Sequence, residues 1–423
     1  MSDLLLVPAP PGGQPAAGRS NDSIGAGLVY LGRWRTLSFV GRSPYRGPLI
    51  ALATWTVLVC AAGAWVLFET LYDPRVPLAP PFVVKRPRSG DEITIVLGGD
   101  FAPTDAAMPR IQERGWRYPY EATAGLLREA DVALLNLEAP VTESDEPFPL
   151  PKKYIYKVEP AALEAWRWLG LDAVALANNH VGDYRDRGLA DTLRYLDAAG
   201  IAHAGAGLDE TAARRPLIFD VGGTRIGYLA YLEDQPGYRL YLRAFARGDS
   251  AGCARLTRAD VTEDVRRLRP LVDVLVVGVH WGENYAPVTP DQERTGRWLA
   301  GLGVDVVAGH HPHDVQPIEV WGDTLILYSL GNYAWGTPGW PQLRIGFLAR
   351  LRVTPRSATA PGRIRAVELV PLATQNAIVD FQPRPLRPEE RSWLEPFLAA
   401  SRTRGADVEV DGETIRVGFP RAR

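Results

Sequence analysis

Residues 272–313 read VDVLVVGVHWGENYAPVTPDQERTGRWLAGLGVDVVAGHHPH, and their pattern predicts the fold class. The apolar, β-branched run at 272–279 predicts a buried strand, and a second run at 304–308 predicts another. Between them, residues 290–302 have the amphipathic pattern of a helix. A strand, a helix and a strand in succession are typical of a layered α/β domain.

The same alternation extends toward both ends of the chain. Further buried strands are predicted at 93–98, 132–137 and 173–177, and further helices at 120–130, 160–169, 186–199 and 258–268. Glycine-containing turns indicate hairpins at 217–232, 318–328 and 408–417. Strands at 347–353 and 364–370 have no helix between them, so we expect an antiparallel portion at one side. A last helix is predicted at 388–401.

The composition excludes several classes of protein. Of 423 residues, 46% are hydrophobic and 23% are charged, which excludes a wholly disordered chain. Lys and Arg number 47 against 49 Asp and Glu, a formal charge of -2, which argues against nucleic acid as a partner. Two cysteines, Cys60 and Cys253, are too few for a disulfide framework or a cysteine-based zinc site.

Residues 49–68 read LIALATWTVLVCAAGAWVLF and carry no charge. A helix of this length spans about 30 Å, enough to cross a bilayer. A buried soluble helix or a cleaved signal peptide is the alternative, but the segment starts far from the N-terminus and lacks a clear cleavage site. Five arginines and two aspartates precede it, so the positive-inside rule predicts a cytoplasmic N-terminus and an extracytoplasmic main domain. We therefore predict a disordered tail at 1–48, a transmembrane helix at 49–68 and a proline-rich stalk at 69–90.

Polar residues follow each predicted strand. The strand ends carry Gly98-Gly99-Asp100, Asn136-Leu137-Glu138, Asn178-Asn179-His180, His280-Trp281-Gly282-Glu283 and Gly309-His310-His311-Pro312-His313. Each alone is open to a simpler interpretation as a cap, a turn or a hydrogen-bonded histidine. Together, at the strand ends where α/β sheets bind ligands, they predict one pocket for a divalent metal such as Mn, Zn or Fe. Five of the six histidines fall in this set.

These motifs resemble those of the CapA family, bacterial proteins of capsule or poly-γ-glutamate biosynthesis. The resemblance covers about residues 92–340 and rests on GGD (98–100), NLEAPVT (136–142), ANNHVGDY (177–184), HWGENYAP (280–287), GHHPHDVQ (309–316) and YSLGNYAW (328–335). It implies a domain similar to the calcineurin-like metallophosphatases, a four-layer α/β/β/α sandwich at 91–375, here preceded by one transmembrane helix. Residues 376–423 are then an extension that packs on the domain.

The resemblance also implies the ligand set. Carried over to this chain, the metal ligands are Asp100, Glu138, Asn179, His180, His280, His311 and His313. His310 is adjacent, and because neighbours in extended backbone face opposite sides, we expect its ring to point away. Ala102 stands where metallophosphatases have a second histidine, and Asn136-Leu137-Glu138 replaces their Gly-Asp-x-x-Asp motif. The sequence is therefore consistent with a site for one metal ion or for two.

Catalytic roles are predicted for His180, His280 and Glu283 as acid or base groups, with no organic cofactor. Glu283 is equally well interpreted as a surface carboxylate. Asp183 is either an orienting partner of a histidine or a loop cap. Arg185 and Arg187 either contact an anionic substrate or start a solvated helix. The aromatic residues Trp281, Tyr285, Tyr333 and Trp335 either line a polymer groove or pack in the core.

Three functions are consistent with these features. The leading hypothesis is an anchored protein of the cell membrane that acts on, or holds, an anionic surface polymer such as poly-γ-glutamate or capsule material. A phosphoesterase for an envelope precursor is a variant of it. The second is a non-catalytic polymer-binding or export subunit of a membrane synthase, and since the chain has no ATP-binding P-loop, ligation energy would come from a partner. The third, a soluble cytosolic phosphatase, requires residues 49–68 not to span a membrane.

Overall fold

The structure is a computed structural model that describes residues 80–87, 90–337 and 344–418. The predicted tail at 1–48, the predicted transmembrane helix at 49–68 and the stalk up to residue 79 lie outside these ranges. Among the helices within them, none has the length and apolar character needed to cross a bilayer.

Strands and helices alternate along the described chain, which confirms the predicted α/β class. The strands are β1 (Phe82–Arg86), β2 (Ile93–Ala102), β3 (Val132–Leu137), β4 (Ala173–Ala175), β5 (Ala202–Ala204), β6 (Ala206–Gly207), β7 (Leu217–Val221), β8 (Thr224–Glu233), β9 (Gly252–Cys253), β10 (Arg255–Leu256), β11 (Val274–His280), β12 (Val306–His310), β13 (Val315–Trp321), β14 (Thr324–Leu330), β15 (Asn332–Trp335), β16 (Ile345–Thr354), β17 (Arg363–Ala373), β18 (Arg384–Pro385), β19 (Val408–Asp411) and β20 (Thr414–Val417). The α-helices are α1 (Met108–Arg114), α2 (Ala124–Arg128), α3 (Ala162–Leu169), α4 (Arg185–Ala199), α5 (Glu210–Ala213), α6 (Arg258–Leu268), α7 (Pro290–Gly301), α8 (Asn376–Val379) and α9 (Glu395–Thr403). A π-helix covers Gly237–Tyr241, and short 3₁₀ segments lie at Asp105–Ala107, Tyr118–Tyr120, Arg269–Leu271 and Pro388–Leu394.

Most of the strands belong to two mixed sheets. Sheet I has the order β1-β7-β8-β11-β12-β14-β13, with β10 beside β8, and its central strands β8, β11, β12 and β14 are parallel. Sheet II has the order β19-β20-β17-β16-β2-β3-β4-β5, with β15 beside β2 and β18 beside β17. Strands β2 to β5 are parallel, whereas β16, β17, β20 and β19 are antiparallel. The antiparallel portion therefore lies at one side of a sheet, as predicted.

Alternating side chains of β11 show how sheet I is buried on both faces. Val274 and Val276 belong to a large apolar cluster that also contains the residues of sheet II. Leu275 and Val277 belong to a second cluster, which includes Val261, Val265 and Leu268 of α6 and Leu299 of α7. Because side chains alternate along a strand, one face of sheet I packs against helices and the other faces sheet II.

Two predicted helices have a different form. The helix predicted at 388–401 is a 3₁₀ segment at Pro388–Leu394 followed by α9 from Glu395. Residues 120–130 were expected to be a single helix, but the structure has a 3₁₀ turn at Tyr118–Tyr120 followed by α2 from Ala124. The Thr123 hydroxyl donates to the Tyr120 carbonyl at 3.2 Å and is 2.6 Å from the Tyr333 hydroxyl. Hydrogen bonds from threonine to the backbone compete with helix formation, which explains the break.

The C-terminal residues extend sheet II and contact sheet I. Strand β20 pairs with β17, and the Ser401 hydroxyl of α9 accepts a hydrogen bond from the backbone of Ile318 at 3.2 Å. The rings of Phe347 and Phe397 lie 4.6 Å apart. The boundary predicted at residue 375 stays a prediction.

Candidate functional site

The carboxyl ends of strands from both sheets meet at one place. In sheet II, Asp100 of β2 is in register with Asn136 of β3 and Asn332 of β15. In sheet I, His280 of β11 is in register with His310 of β12. Nδ1 of His310 lies 3.3 Å from Oδ1 of Asp100, so strand ends from the two sheets are in contact. Carboxylates and imidazoles are thus brought together as the sequence predicted, but by two sheets.

Asp100 lies at the centre of this contact and is fully buried. Asn136 Nδ2 donates to its Oδ1 at 2.7 Å, and the backbone N–H of His311 donates to its Oδ2 at 3.0 Å. Nδ1 of His313 is 3.5 Å from the same Oδ2. Burial alone raises the pKa of Asp100, but His310, His313 and the N–H of His311 outweigh it and hold that pKa below its ordinary value. Asp100 is therefore a carboxylate at neutral pH.

Glu138 is also fully buried and is shared by two groups of potential metal ligands. Its Oε1 lies 3.4 Å from His280 Nε2 and 3.8 Å from His313 Nε2. The first group is Glu138, His280 and His311, and the second is Asp100, Glu138 and His313. Within each group the ligand atoms all lie within 4.8 Å of one another.

His311 supplies the strongest sign that these residues fit a metal ion. Its Nδ1 is buried and makes no hydrogen bond within the described part of the chain, while its Nε2 lies 3.3 Å from the Tyr238 hydroxyl. Burial lowers the pKa of His311 to about 3, so the ring is neutral. A buried, neutral imidazole nitrogen beside carboxylates is a suitable ligand for Mn, Zn or Fe.

His280 and Asn179 contact each other across the site. Nε2 of His280 lies 2.8 Å from Oδ1 of Asn179, and Nδ1 lies 3.4 Å from Nδ2 of Asn136. Burial and the neighbouring imidazoles lower the pKa of His280 well below its ordinary value. Asn179 is therefore at the site, although it belongs to neither group of His and acidic ligands.

His180 is beside the two groups and outside both of them. Its Nδ1 lies 2.8 Å from Oδ2 of Asp183, which also accepts the backbone N–H of Tyr156 at 2.7 Å. The other oxygen of Asp183 pairs with Lys152, whose Nζ donates to the Asn179 carbonyl at 2.7 Å. Burial and Lys152 lower the pKa of His180 more than Asp183 raises it. A neutral His180 with its Nδ1 proton toward Asp183 is suited to accept a proton or a metal at Nε2, and less suited to be a resting acid.

The backbone around His313 corrects the prediction for His310. His311 has a φ of +95° and His313 a φ of +58°, so the chain is not extended here and the alternation rule does not apply. The ring of His310 is buried against Asp100 instead of pointing away. Nδ1 of His313 lies 2.9 Å from Oδ1 of Asn332, which fixes its ring.

Glu283 is placed differently from the other predicted site residues. It is exposed and lines a cavity of about 330 Å³, whose wall also includes Asn179, His311 and Lys152. It belongs to neither group of ligands. Its position therefore suits contact with a bound substrate.

The four aromatic residues divide between core and site. Trp281 donates to the Tyr328 carbonyl at 2.8 Å, and Tyr333 bonds Thr123, so both are core residues. The Trp335 and Tyr285 rings lie 4.4 Å and 5.9 Å from the ring of His313. These two rings border the site.

Several functional side chains were not predicted as site residues. Lys152 reaches the site from a loop without a motif, and Tyr238 reaches it from the π-helix. Asn136 and Asn332 lie within the NLEAPVT and YSLGNYAW motifs. Their hydrogen bonds to Asp100 and His313 identify them as site residues. The register of β15 with β2 places Asn332 beside Asp100, and this pairing cannot be predicted from one sequence.

Two mixed sheets with buried carboxylates and imidazoles at their joined strand ends define an α/β protein with a candidate metal centre. The chain belongs to the bacterial capsule synthesis protein PGA_cap family, whose family model matches residues 94–337. This finding confirms the assignment to the CapA family.

Curated relatives agree with the family. A probable polyglutamine synthesis accessory protein of Mycobacterium tuberculosis is 34% identical over 280 residues, which cover 61% of this chain and 70% of that protein. The capsule biosynthesis protein CapA of Bacillus anthracis is 24% identical over 317 residues, 73% of this chain and 74% of that protein. The PGA biosynthesis protein CapA of Bacillus subtilis is 26% identical over 265 residues, 60% and 66% respectively. Similarity of this extent places the chain among proteins of capsule and polyglutamate biosynthesis.

Proposed function

We propose that this protein uses a divalent metal site to act on, or hold, an anionic surface polymer during capsule or poly-γ-glutamate biosynthesis. The observation that carries the proposal is the pair of ligand groups that share Glu138. The names of the relatives from Bacillus support the choice of polymer.

The fold of the domain is proposed to be the four-layer α/β/β/α sandwich of the metallophosphatase type. The division of β11 side chains between the two apolar clusters supports the order helices, sheet I, sheet II. On the other side of sheet II, Trp166 of α3 packs edge-on against Phe101 of β2 with ring centroids 5.2 Å apart. This contact supports the fourth layer.

The two groups differ in donor chemistry. Glu138, His280 and His311 provide two imidazoles and a carboxylate, which suit Zn or Fe, whereas Asp100, Glu138 and His313 provide more oxygen and suit Mn. One ion or two fit the site. A bound ion would supply Lewis acidity toward a phosphoryl or carbonyl oxygen of the substrate.

The protein's own side chains would orient the reacting groups. Asp183 holds His180 with Nε2 available, and Asn179 fixes His280. The cavity beside Asn179 and His311 gives the substrate access to the ligand groups. Glu283, on the cavity wall, is in a position to contact the bound chain.

The site is proposed to work outside the cytoplasm. Residues 49–68 would anchor the protein in the cell membrane, and the arginines before them would keep the N-terminus in the cytoplasm. Protease added to intact spheroplasts should then digest residues 90–418. A chain found wholly in the soluble fraction, or digested only after lysis, would rule out this topology.

A second candidate is a polymer-binding subunit of a membrane synthase or export complex without hydrolytic activity. The word accessory in the name of the Mycobacterium tuberculosis relative favours it, as does Ala102 in place of a metallophosphatase histidine. Synthase and export proteins of the membrane would then be its partners.

Turnover distinguishes the two candidates. The full-length chain is loaded with Mn or Zn and incubated with γ-glutamyl oligomers and with a phosphodiester, and wild type is compared with His280→Ala. His203→Ala is the control, because His203 pairs with Asp197 away from the site. An enzyme should lose turnover in His280→Ala alone. Oligomer binding without turnover of either compound would favour the subunit, and no binding at all would refute both.

A further inference from the structure

A second cavity adjoins the one beside His311. Its volume is about 220 Å³, and it is lined by Arg185 and Arg243 together with apolar residues such as Phe148 and Leu189. Lys152, Asn179 and Leu242 line both cavities, so the two are neighbouring parts of one groove. We infer that this second cavity is a subsite in which Arg185 and Arg243 bind an anionic group of the substrate, one unit away from the metal ligands.

Arg243 carries this inference furthest. Its side chain is exposed at the cavity wall, and within residues 80–87, 90–337 and 344–418 it makes no ion pair. A guanidinium binds carboxylate or phosphate oxygens through two parallel hydrogen bonds. Arg243 is therefore a cation available to a ligand.

Arg185 has partners that leave most of its charge available. Its Nε donates to the Pro147 carbonyl at 3.0 Å, and a second nitrogen lies 3.6 Å from a Glu146 oxygen. The side chains in that pair are 47% and 78% exposed, and exposed pairs contribute little energy because water screens them. Arg187, the other arginine considered from the sequence, pairs with Asp191 and does not line the cavity.

The acidic groups of the cavity do not cancel the two arginines. Asp183 is buried and is neutralised by Lys152. Asp186 is exposed at the first turn of α4 and is the other acidic residue in the lining. The lining has three cations, Lys152, Arg185 and Arg243, and two carboxylates, Asp183 and Asp186, which leaves a balance of +1. Glu146, which pairs with Arg185, lies outside the lining.

The size and walls of the cavity favour a unit of a chain over a bare ion. A volume of about 220 Å³ corresponds to roughly seven water molecules. The apolar part of the wall would contact methylene groups while the arginines bind the charge. This inference rests on the proposed function, in which one unit of an anionic polymer lies at the metal site. The second cavity would bind the neighbouring charged unit of the same polymer.

The affinity of the full-length chain for two short anionic oligomers tests the subsite. A γ-glutamyl tetramer presents carboxylates and a glycerol phosphate dimer presents phosphate, and each is titrated by calorimetry at low salt. Arg243→Gln and Arg185→Gln should each weaken binding of one of these oligomers by about tenfold, and Arg243→Lys should retain part of the affinity. Arg247→Gln is the matched control, because Arg247 is an exposed arginine of the same segment that does not line the cavity. It should change affinity less than about twofold.

Metal content separates the possible failures. It should be unchanged in Arg243→Gln, because the substitution leaves both groups of potential metal ligands intact. Oligomer binding that is equal in wild type and both glutamine variants would overturn the subsite and leave the proposed function standing. A wild-type chain that binds neither oligomer would overturn the subsite and polymer binding together.

Discussion

Nδ1 of His180 lies 2.8 Å from Oδ2 of Asp183, and the other oxygen of Asp183 pairs with the ammonium group of Lys152. The side chains of Lys152 and Asp183 are 8% and 1% exposed, so this is a buried ion pair. Asp183 thus positions an imidazole at the site and balances a buried cation. The same carboxylate contributes to the geometry of the site and to stability.

Asp183→Asn should lower the free energy of unfolding by about 3 kcal/mol, because it leaves Lys152 buried without a counter-charge. The double variant Lys152→Met/Asp183→Asn should recover at least about 1 kcal/mol of that loss, since it removes the uncompensated cation. Urea denaturation of wild type, Asp183→Asn, Lys152→Met and the double variant measures the coupling. A double variant as unstable as the sum of the single variants would contradict the coupling.

Gly99→Ala should destabilise the strand that carries Asp100. A Cβ at Gly99 would lie 1.9 Å from the Gly331 carbonyl oxygen, and the backbone N–H of Asp100 donates to that same oxygen at 3.0 Å. Neither backbone can move without disturbing the site, so we expect a loss of about 1–3 kcal/mol in the free energy of unfolding. Gly125→Ala is the control, because a Cβ there meets nothing within 4 Å. Equal stabilities of the two variants would show that the packing at Gly99 is looser than described.

Glu390 should make stability depend on pH through its pair with Arg384. Two hydrogen bonds of 2.7 Å join the carboxylate and the guanidinium, and Arg384 lowers the pKa of Glu390 to about 2. Since the pKa is lower in the folded protein, the stabilisation is complete above pH of about 4.5 and is lost as the pH falls through about 2.

Glu390→Gln should therefore cost about 2 kcal/mol of unfolding free energy at pH 7 and progressively less between pH of about 4.5 and 3. Denaturation of wild type and variant over this range measures the change. The exposed neighbour Glu389 provides the control, and Glu389→Gln should stay within about 0.5 kcal/mol of wild type at every pH. A difference for Glu390→Gln that does not depend on pH would argue against the ion pair as its cause.

The sequence predicted the polar strand ends because these depend on local patterns. A β-branched run followed by Asp100, His280 or His310 is visible within ten residues, and the structure has all three at the ends of strands. The single helix predicted at 120–130 is wrong at Thr123, where hydrogen bonds to Tyr120 and the distant Tyr333 interrupt the helical pattern. Long-range contacts of this kind have no signal in the local periodicity.

The same distinction applies to the site. The motif histidines and acids were predicted, whereas Lys152, Tyr238 and Arg243 were not, because they come from loops whose paths are set by tertiary packing. His310 was misjudged because the positive φ values of His311 and His313 cannot be inferred from their residue types. Glu283 belongs to a predicted motif, but its side chain lies at the cavity wall and outside both groups of potential ligands.

Metal content of the full-length chain shows whether the two groups of ligands that share Glu138 bind metal. After loading with Mn or Zn and removal of excess metal, wild type should retain at least one ion per chain. Glu138→Gln should lose metal from both ligand groups, His311→Ala and His313→Ala should each affect one group, and His203→Ala should match wild type. Mass spectrometry of the metals measures all five proteins. Equal metal content in wild type and Glu138→Gln, or no retained metal in wild type, would rule out a metal site at these residues.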